Sequence, residues 1–238
     1  MTQRGYDVLA AAIAALLVAA GLVGLGTALS GGLQKFKATE RTVDVKGLAE
    51  REVPANLAIW GIQHTDADND LPALYARFET KNAAIQAFLK AQGFDEAEVT
   101  VAPPAVTDRQ ARDYGDQNVK LRYSGRSSVT VYTPKVDAVR KALGALGELG
   151  KQGVAVSGEG PSVQYVFNGL NEIKPVMIEQ AVKNARESAG KFAIDTGSEL
   201  GKLKRASQGQ FSIEDRDAST PHIKRVRVVS TLEYYLQN

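Results

Sequence analysis

Polar and apolar positions alternate with period two over several stretches of this chain, the mark of strands with one wet face. The clearest is Val119–Tyr132. Val119, Leu121, Tyr123, Val129 and Val131 share one face, while Lys120, Arg122, Ser124, Arg126, Ser128 and Thr130 share the other. The C-terminal stretch repeats the pattern, with Val226, Val228, Leu232, Tyr234 and Leu236 opposed to Arg225, Arg227, Thr231 and Glu233. Shorter candidates are Thr42–Lys46, Leu57–His64, Val99–Ala102 and Ser162–Phe167. Leu57–His64 is apolar on both faces and contains Trp60, as a central strand would be.

Three helices interrupt the strands. Leu71, Leu74, Phe78, Ile85 and Leu89 fall on one face of a helix that ends near Gly93. Thr133-Pro134 supplies an N-cap and a first-turn proline for a second, with Val136, Val139, Leu143 and Leu146 inward. In the third, Ile178, Ala181, Ala185, Ala189 and Phe192 line one stripe, and Gly197 is its stop. Small side chains along that stripe predict a helix buried closely against a sheet. The order β-β-α-β-β-α-β-α-β-β predicts an α+β domain, an antiparallel sheet packed with about three helices. One long polar loop, Pro103–Asn118, reads as a solvated hairpin tip.

The N-terminus departs from these patterns. Val8 to Leu29 is 22 residues without a charge, about 33 Å as a helix, against a hydrocarbon core of about 30 Å. The expectation is one N-terminal transmembrane helix within residues 1–37, and a soluble domain over 38–238. A signal peptide cut at Ala28-Leu29-Ser30 is the rival reading; the length of the apolar run favours the uncleaved anchor. Ala20, Gly24 and Ala28 form a small-xxx-small stripe that would let two such helices pack closely, although chance in an alanine-rich segment produces the same spacing. Flanking charges weakly favour the large domain inside.

Composition narrows the function. Arg4, Lys35 and Lys37, less Asp7, account for the whole net charge of +2, so residues 38–238 are neutral by count. A neutral domain argues against nucleic acid as a partner. With no cysteine, disulfides, thiolate metal sites and cysteine nucleophiles are excluded. Asp66, Asp68 and Asp70 match the first three calcium-loop positions. Leu71 then stands where the loop needs glycine and Arg77 where it needs glutamate, so these acids are expected to cap the following helix. His64 and His222 share no ligand-like spacing and read as ordinary strand-end residues. Ser157–Ser162 is glycine-rich but lacks a phosphate-loop lysine, and reads as a turn. The basic run His222–Val229 reads as a solvated or partner-facing strand. No catalytic residue, metal ligand or cofactor is assigned.

Three stretches carry a resemblance. They are "VDVKGLAEREVPANLAIWGI" (43–62), "AQGFDEAEVTV" (91–101), and the segment with Ala185-Arg186, Ala189, Phe192-Ala193, Gly197 and Leu200-Gly201-Lys202-Leu203 that leads into the closing strand "VRVVSTLEYYL". Together they resemble the SIMPL-domain family of bacterial envelope proteins, over about residues 40–237. The family's second glycine is Ala49 here, and its turn aspartate is Asn56. The resemblance implies an α+β domain, export across the inner membrane into the periplasm, and a tendency to form homo-oligomers, ring-like in some relatives. It implies stress-related envelope roles and no established catalytic residues.

Two functions follow as expectations. The first is a membrane-anchored periplasmic homo-oligomeric scaffold with no enzymatic activity. The second is a monomeric binding module for a small molecule or peptide, with a pocket lined by Trp60 or tyrosines.

Overall fold

The computed structural model describes residues 19, 21, 22, 41–112, 120–156 and 162–237. Nine strands and five helices are described: β1 (Thr42–Pro54), β2 (Leu57–Asp68), α1 (Leu71–Ala91), β3 (Val99–Val101), β4 (Ala105–Asp108), α2 (Arg109–Arg112), β5 (Tyr123–Thr133), α3 (Val136–Gly144), α4 (Gly147–Lys151), β6 (Ser162–Val166), α5 (Leu170–Asp195), β7 (Glu199–Gln208), β8 (Ser212–Asp215) and β9 (Ile223–Gln237). The α+β class is as expected. The strands form two antiparallel sheets where one was expected: β1-β9-β7 with β8 also on β9, and β3-β5-β2-β6 with β4 also on β5. Two of the five helices, α2 and α4, are short and lay below the resolution of a periodicity argument.

The described residues divide into two compact units, each with its own core. One comprises 41–49, Ile178–Gln210 and 229–237. The other comprises Glu50–Met177 and Phe211–Val228.

In the larger unit β2 is indeed a central strand, paired with β5 on one side and β6 on the other. Its inward residues Ala58, Trp60, Ile62 and His64 are fully buried. Helix α1 lays Leu74, Phe78, Ile85 and Leu89 into the core, all fully buried. Asp70 is its N-cap and accepts from the Ala73 amide at 3.1 Å, satisfying an otherwise unpaired first-turn donor. Val136 and Val139 of α3 are buried as expected, but Lys135 holds the N-cap position. Thr133 is still in β5, and its hydroxyl accepts from the Lys135 amide at 3.1 Å.

Between β1 and β2 only Ala55 and Asn56 intervene. The Ala55 amide donates to the His222 carbonyl at 2.8 Å, and the Asn56 amide donates to the Val166 carbonyl at 3.0 Å. The Asn56 side-chain oxygen accepts from the Asn168 amide at 3.0 Å. A carboxamide oxygen therefore does the accepting at this turn.

In the smaller unit α5 crosses β1. Ala181, Ala185, Ala189 and Ala193 are buried at four-residue intervals. A Cβ on Gly47 would fall inside the van der Waals envelope of the Ala181 carbonyl and the Ala185 amide, and 2.8 Å from the Ala185 Cβ. Helix and strand backbones thus nearly touch. Phe192, expected inward, is instead 47% exposed, and Ala193 takes the inward place. A benzyl group does not fit where backbones approach this closely, so the contact stripe runs through alanines alone. Gly197 follows the helix at φ +65°, a conformation open to glycine and strained for other residues.

Candidate functional site

Most chemistry-bearing side chains are absorbed by structure. Burial alone would raise the Asp66 carboxyl. The Lys81 ammonium at 2.7 Å, the Ala67 amide and the nearby Arg77 outweigh that and hold it below the usual carboxylate range. Asp68 takes the Asp70 and Asn69 amides and pairs with Arg77 at 2.5 Å, which also lowers it. The aspartates read as helix-capping therefore divide the work: Asp70 caps, and Asp66 and Asp68 bind the cations of α1. The basic run is also taken up internally. Lys224 pairs with Asp215, while Arg225 reaches Glu50 at 3.6 Å and the Arg216 carbonyl at 2.6 Å.

Three polar side chains meet inside the larger core. His64 Nε2 lies 2.8 Å from Asn82 Oδ1, and the Ser127 hydroxyl lies 3.0 Å from Asn82 Nδ2 and 3.1 Å from Oδ1. His64 sits well inside β2 rather than at its end, is wholly buried, and tilts against Phe78 with ring centroids 5.6 Å apart. The imidazole bonds the carboxamide, not the serine, so no base contacts the hydroxyl and the set lacks a nucleophile–base pair. It pins β2, α1 and β5 together. His222 caps β9, packing edge-on to Tyr165 at 6.0 Å; burial and then Arg140 push its pKa below the ordinary histidine value. Trp60 is wholly buried and edge-on to Phe94, so it lines no pocket, and its indole N–H has no partner among the described residues.

The expected helix-packing residues Ala20, Gly24 and Ala28, the apolar run Val8–Leu29 except residues 19, 21 and 22, and the turn at 157–161 lie outside the described residues. No described helix is long and apolar enough to cross a membrane. Within Pro103–Asn118, the expected loop, the structure places β4 and α2. Among the described residues no three histidine, aspartate or glutamate side chains are grouped to hold a metal ion.

The surface best suited to a partner is one the alternation missed. Among the described residues strand β7 is an outer strand, hydrogen-bonded to β9 alone within its sheet. From Lys202 to Gln208 every residue is exposed, including Leu203 at 49%. Lys204 and Arg205 each reach Glu233 of β9 at 3.2 Å. The Lys204 hydrogen bond, with help from Arg205, holds the Glu233 carboxyl below its usual range. The register shifts between Leu200 and Leu203 and again between Leu203 and Arg205. Irregularity and lysines are the usual protection of an edge against indiscriminate pairing. What remains is an edge with a defined, basic identity.

A search of curated proteins returns no match. A family model described as SIMPL, a protein of unknown function (DUF541), matches residues 43–231. That span takes in the larger core, the β7 edge and most of β9, stopping just short of Leu232 and Tyr234 of the smaller core, and the chain belongs to the SIMPL family.

Proposed function

We propose that this protein is a membrane-anchored, periplasmic scaffold of the bacterial envelope whose working form is a homo-oligomer, and that it carries no enzymatic activity. The observation that supports this is β7. Seven consecutive exposed residues of a strand with one neighbour have little to hold them in a lone chain, and a second copy would pair the open edge. Lys202, Lys204 and Arg205 make pairing of two β7 strands costly and select an acidic segment; the chain itself offers one in β8, where Glu214 stands exposed beside Asp215, the partner of Lys224. Unlike surfaces that meet head to tail close into rings when the rotation permits. Anchoring by Val8–Leu29 would raise the local concentration of copies in the plane of the membrane.

The test is the mass of the full-length protein in mild detergent beside residues 38–238 alone. Discrete oligomers for both are expected and locate assembly in the folded domain. Oligomers only with the N-terminal segment would move the contact to Ala20, Gly24 and Ala28. Two monomers would end the scaffold reading.

A further inference from the structure

The outward face of the β4-β5-β2 sheet carries a second feature, independent of assembly. Register places Thr65, Arg126 and Ala105 in one cross-strand row, and Ala67, Ser124 and Thr107 in the next. Alternation fixes their side: His64 and Ser127 face the core, so Thr65 and Arg126 face out. The small side chains Ala67 and Ala105 leave a groove of about 620 Å³. Its walls carry hydroxyls from Thr65, Thr107 and Ser124.

The charges around the groove are unequally matched. Asp66 is held by Lys81 and Arg77, and Asp108 by Arg122 through two hydrogen bonds of 3.1 and 2.8 Å. Among the described residues Arg126 has no carboxylate within ion-pair distance, and it is exposed in the middle of the hydroxyl-bearing surface. A guanidinium offers a planar fork suited to a carboxylate or phosphate, and hydroxyls on the adjacent row can exchange hydrogen bonds with a polyol. The volume exceeds what a bare oxyanion fills.

We propose that this groove binds a polyhydroxylated anion, a sugar acid or sugar phosphate, with Arg126 on the acid group and Ser124 and Thr107 on sugar hydroxyls. Two sources share that chemistry, a uronic acid carboxylate and a sugar phosphate, and calorimetry on the full-length protein separates them. Glucuronate and glucose 6-phosphate are titrated beside glucose and inorganic phosphate. The expected result is that at least one of the two sugar anions binds at least tenfold more tightly than either control. Whichever anion binds names the source. Arg126→Gln is expected to weaken that binding at least tenfold, Arg126→Lys to retain part of it, and Thr107→Val to weaken it about threefold. Arg126 is exposed, so these variants are expected to keep the wild-type melting temperature. Absence of binding by both sugar anions, binding equal to glucose or to inorganic phosphate, or binding that survives Arg126→Gln would each overturn the proposal.

Discussion

The two cores of this chain are built on opposite rules. The larger unit packs Trp60, Phe78, Ile85, Phe88 and Leu89 between sheet and helix, so its cohesion comes from bulk. The smaller unit sets Ala185 and Ala189 against Val43, Val45, Leu232 and Tyr234, with Gly47 where the helix backbone passes. Its cohesion comes from proximity. The first should therefore be sensitive to volume removed and the second to volume added. A thin core also covers less, and it is this unit that contains the uncovered strand β7.

That contrast can be broken by substitution. Trp60→Ala should cost about 3–5 kcal/mol, read from denaturant unfolding, because a large cavity opens in a close-packed core. Gly47→Ala should cost about 2–3 kcal/mol although it adds a single methyl, because the atoms in its way are backbone and cannot turn aside. Phe192, in the same unit but 47% exposed, should by contrast cost under about 0.5 kcal/mol on replacement by alanine. If Gly47→Ala proved neutral, the proximity account of the smaller unit would fail.

The polar pin sharpens the comparison within the larger unit. Asn82→Ala should cost about 2 kcal/mol, since it leaves the buried His64 ring and the Ser127 hydroxyl without their shared partner. Asn82→Leu, with the same branched heavy-atom skeleton but no hydrogen-bonding groups, should cost as much; if it were harmless, packing rather than hydrogen bonding would hold that position.

Acid should act last and least. Asp66, Glu98, Asp108 and Glu233 all have folded pKa values below their ordinary ones. Unfolding in acid therefore takes up protons. The stability these groups contribute is complete above the ordinary carboxylate range, about pH 4, and is lost as pH falls through the lowered folded values. Melting temperature should decline slightly as pH drops through the ordinary histidine range, about pH 6.5, because His222 has a lowered pKa in the fold, and fall further below about pH 4 as the carboxylates protonate. Lys81→Met, which removes the principal partner of Asp66, should make that fall shallower.

Legibility followed the same division. Where bulk decides, periodicity reported most of it: the two-sided apolar run of β2, the stripe of α1 from Leu74 onward and the alternation of β9 stand where expected, whereas Leu71 is exposed and β5 begins at Tyr123, leaving the exposed Leu121 outside the strand. The pin was also visible in principle. Asn82 interrupts the buried stripe between Phe78 and Ile85, and Ser127 precedes Val129 and Val131 on an inward face. Polar residues at inward positions of three elements are a signal, and only the pairing of the elements was missing. Proximity was half legible, since the alanine stripe was evident but its last member is Ala193, not Phe192. The element order allowed for a strand between the third helix and the closing strand, but nothing marked its exposed edge. From Lys202 to Gln208 the residues of β7 are exposed on both faces, so nothing forces alternation. The groove was equally silent, because Thr65, Ser124 and Thr107 are ordinary outward residues until strand pairing sets them side by side.

The most direct measurement of the central claim is amide hydrogen exchange over Glu199–Gln208 in the full-length protein, followed across a dilution series. A lone chain protects only the β7 amides that point to β9, whereas a paired edge protects those that point away as well. Assembly predicts slow exchange along both sets of amides at high concentration and loss of the outward set on dilution. Fast outward exchange at every concentration would contradict it.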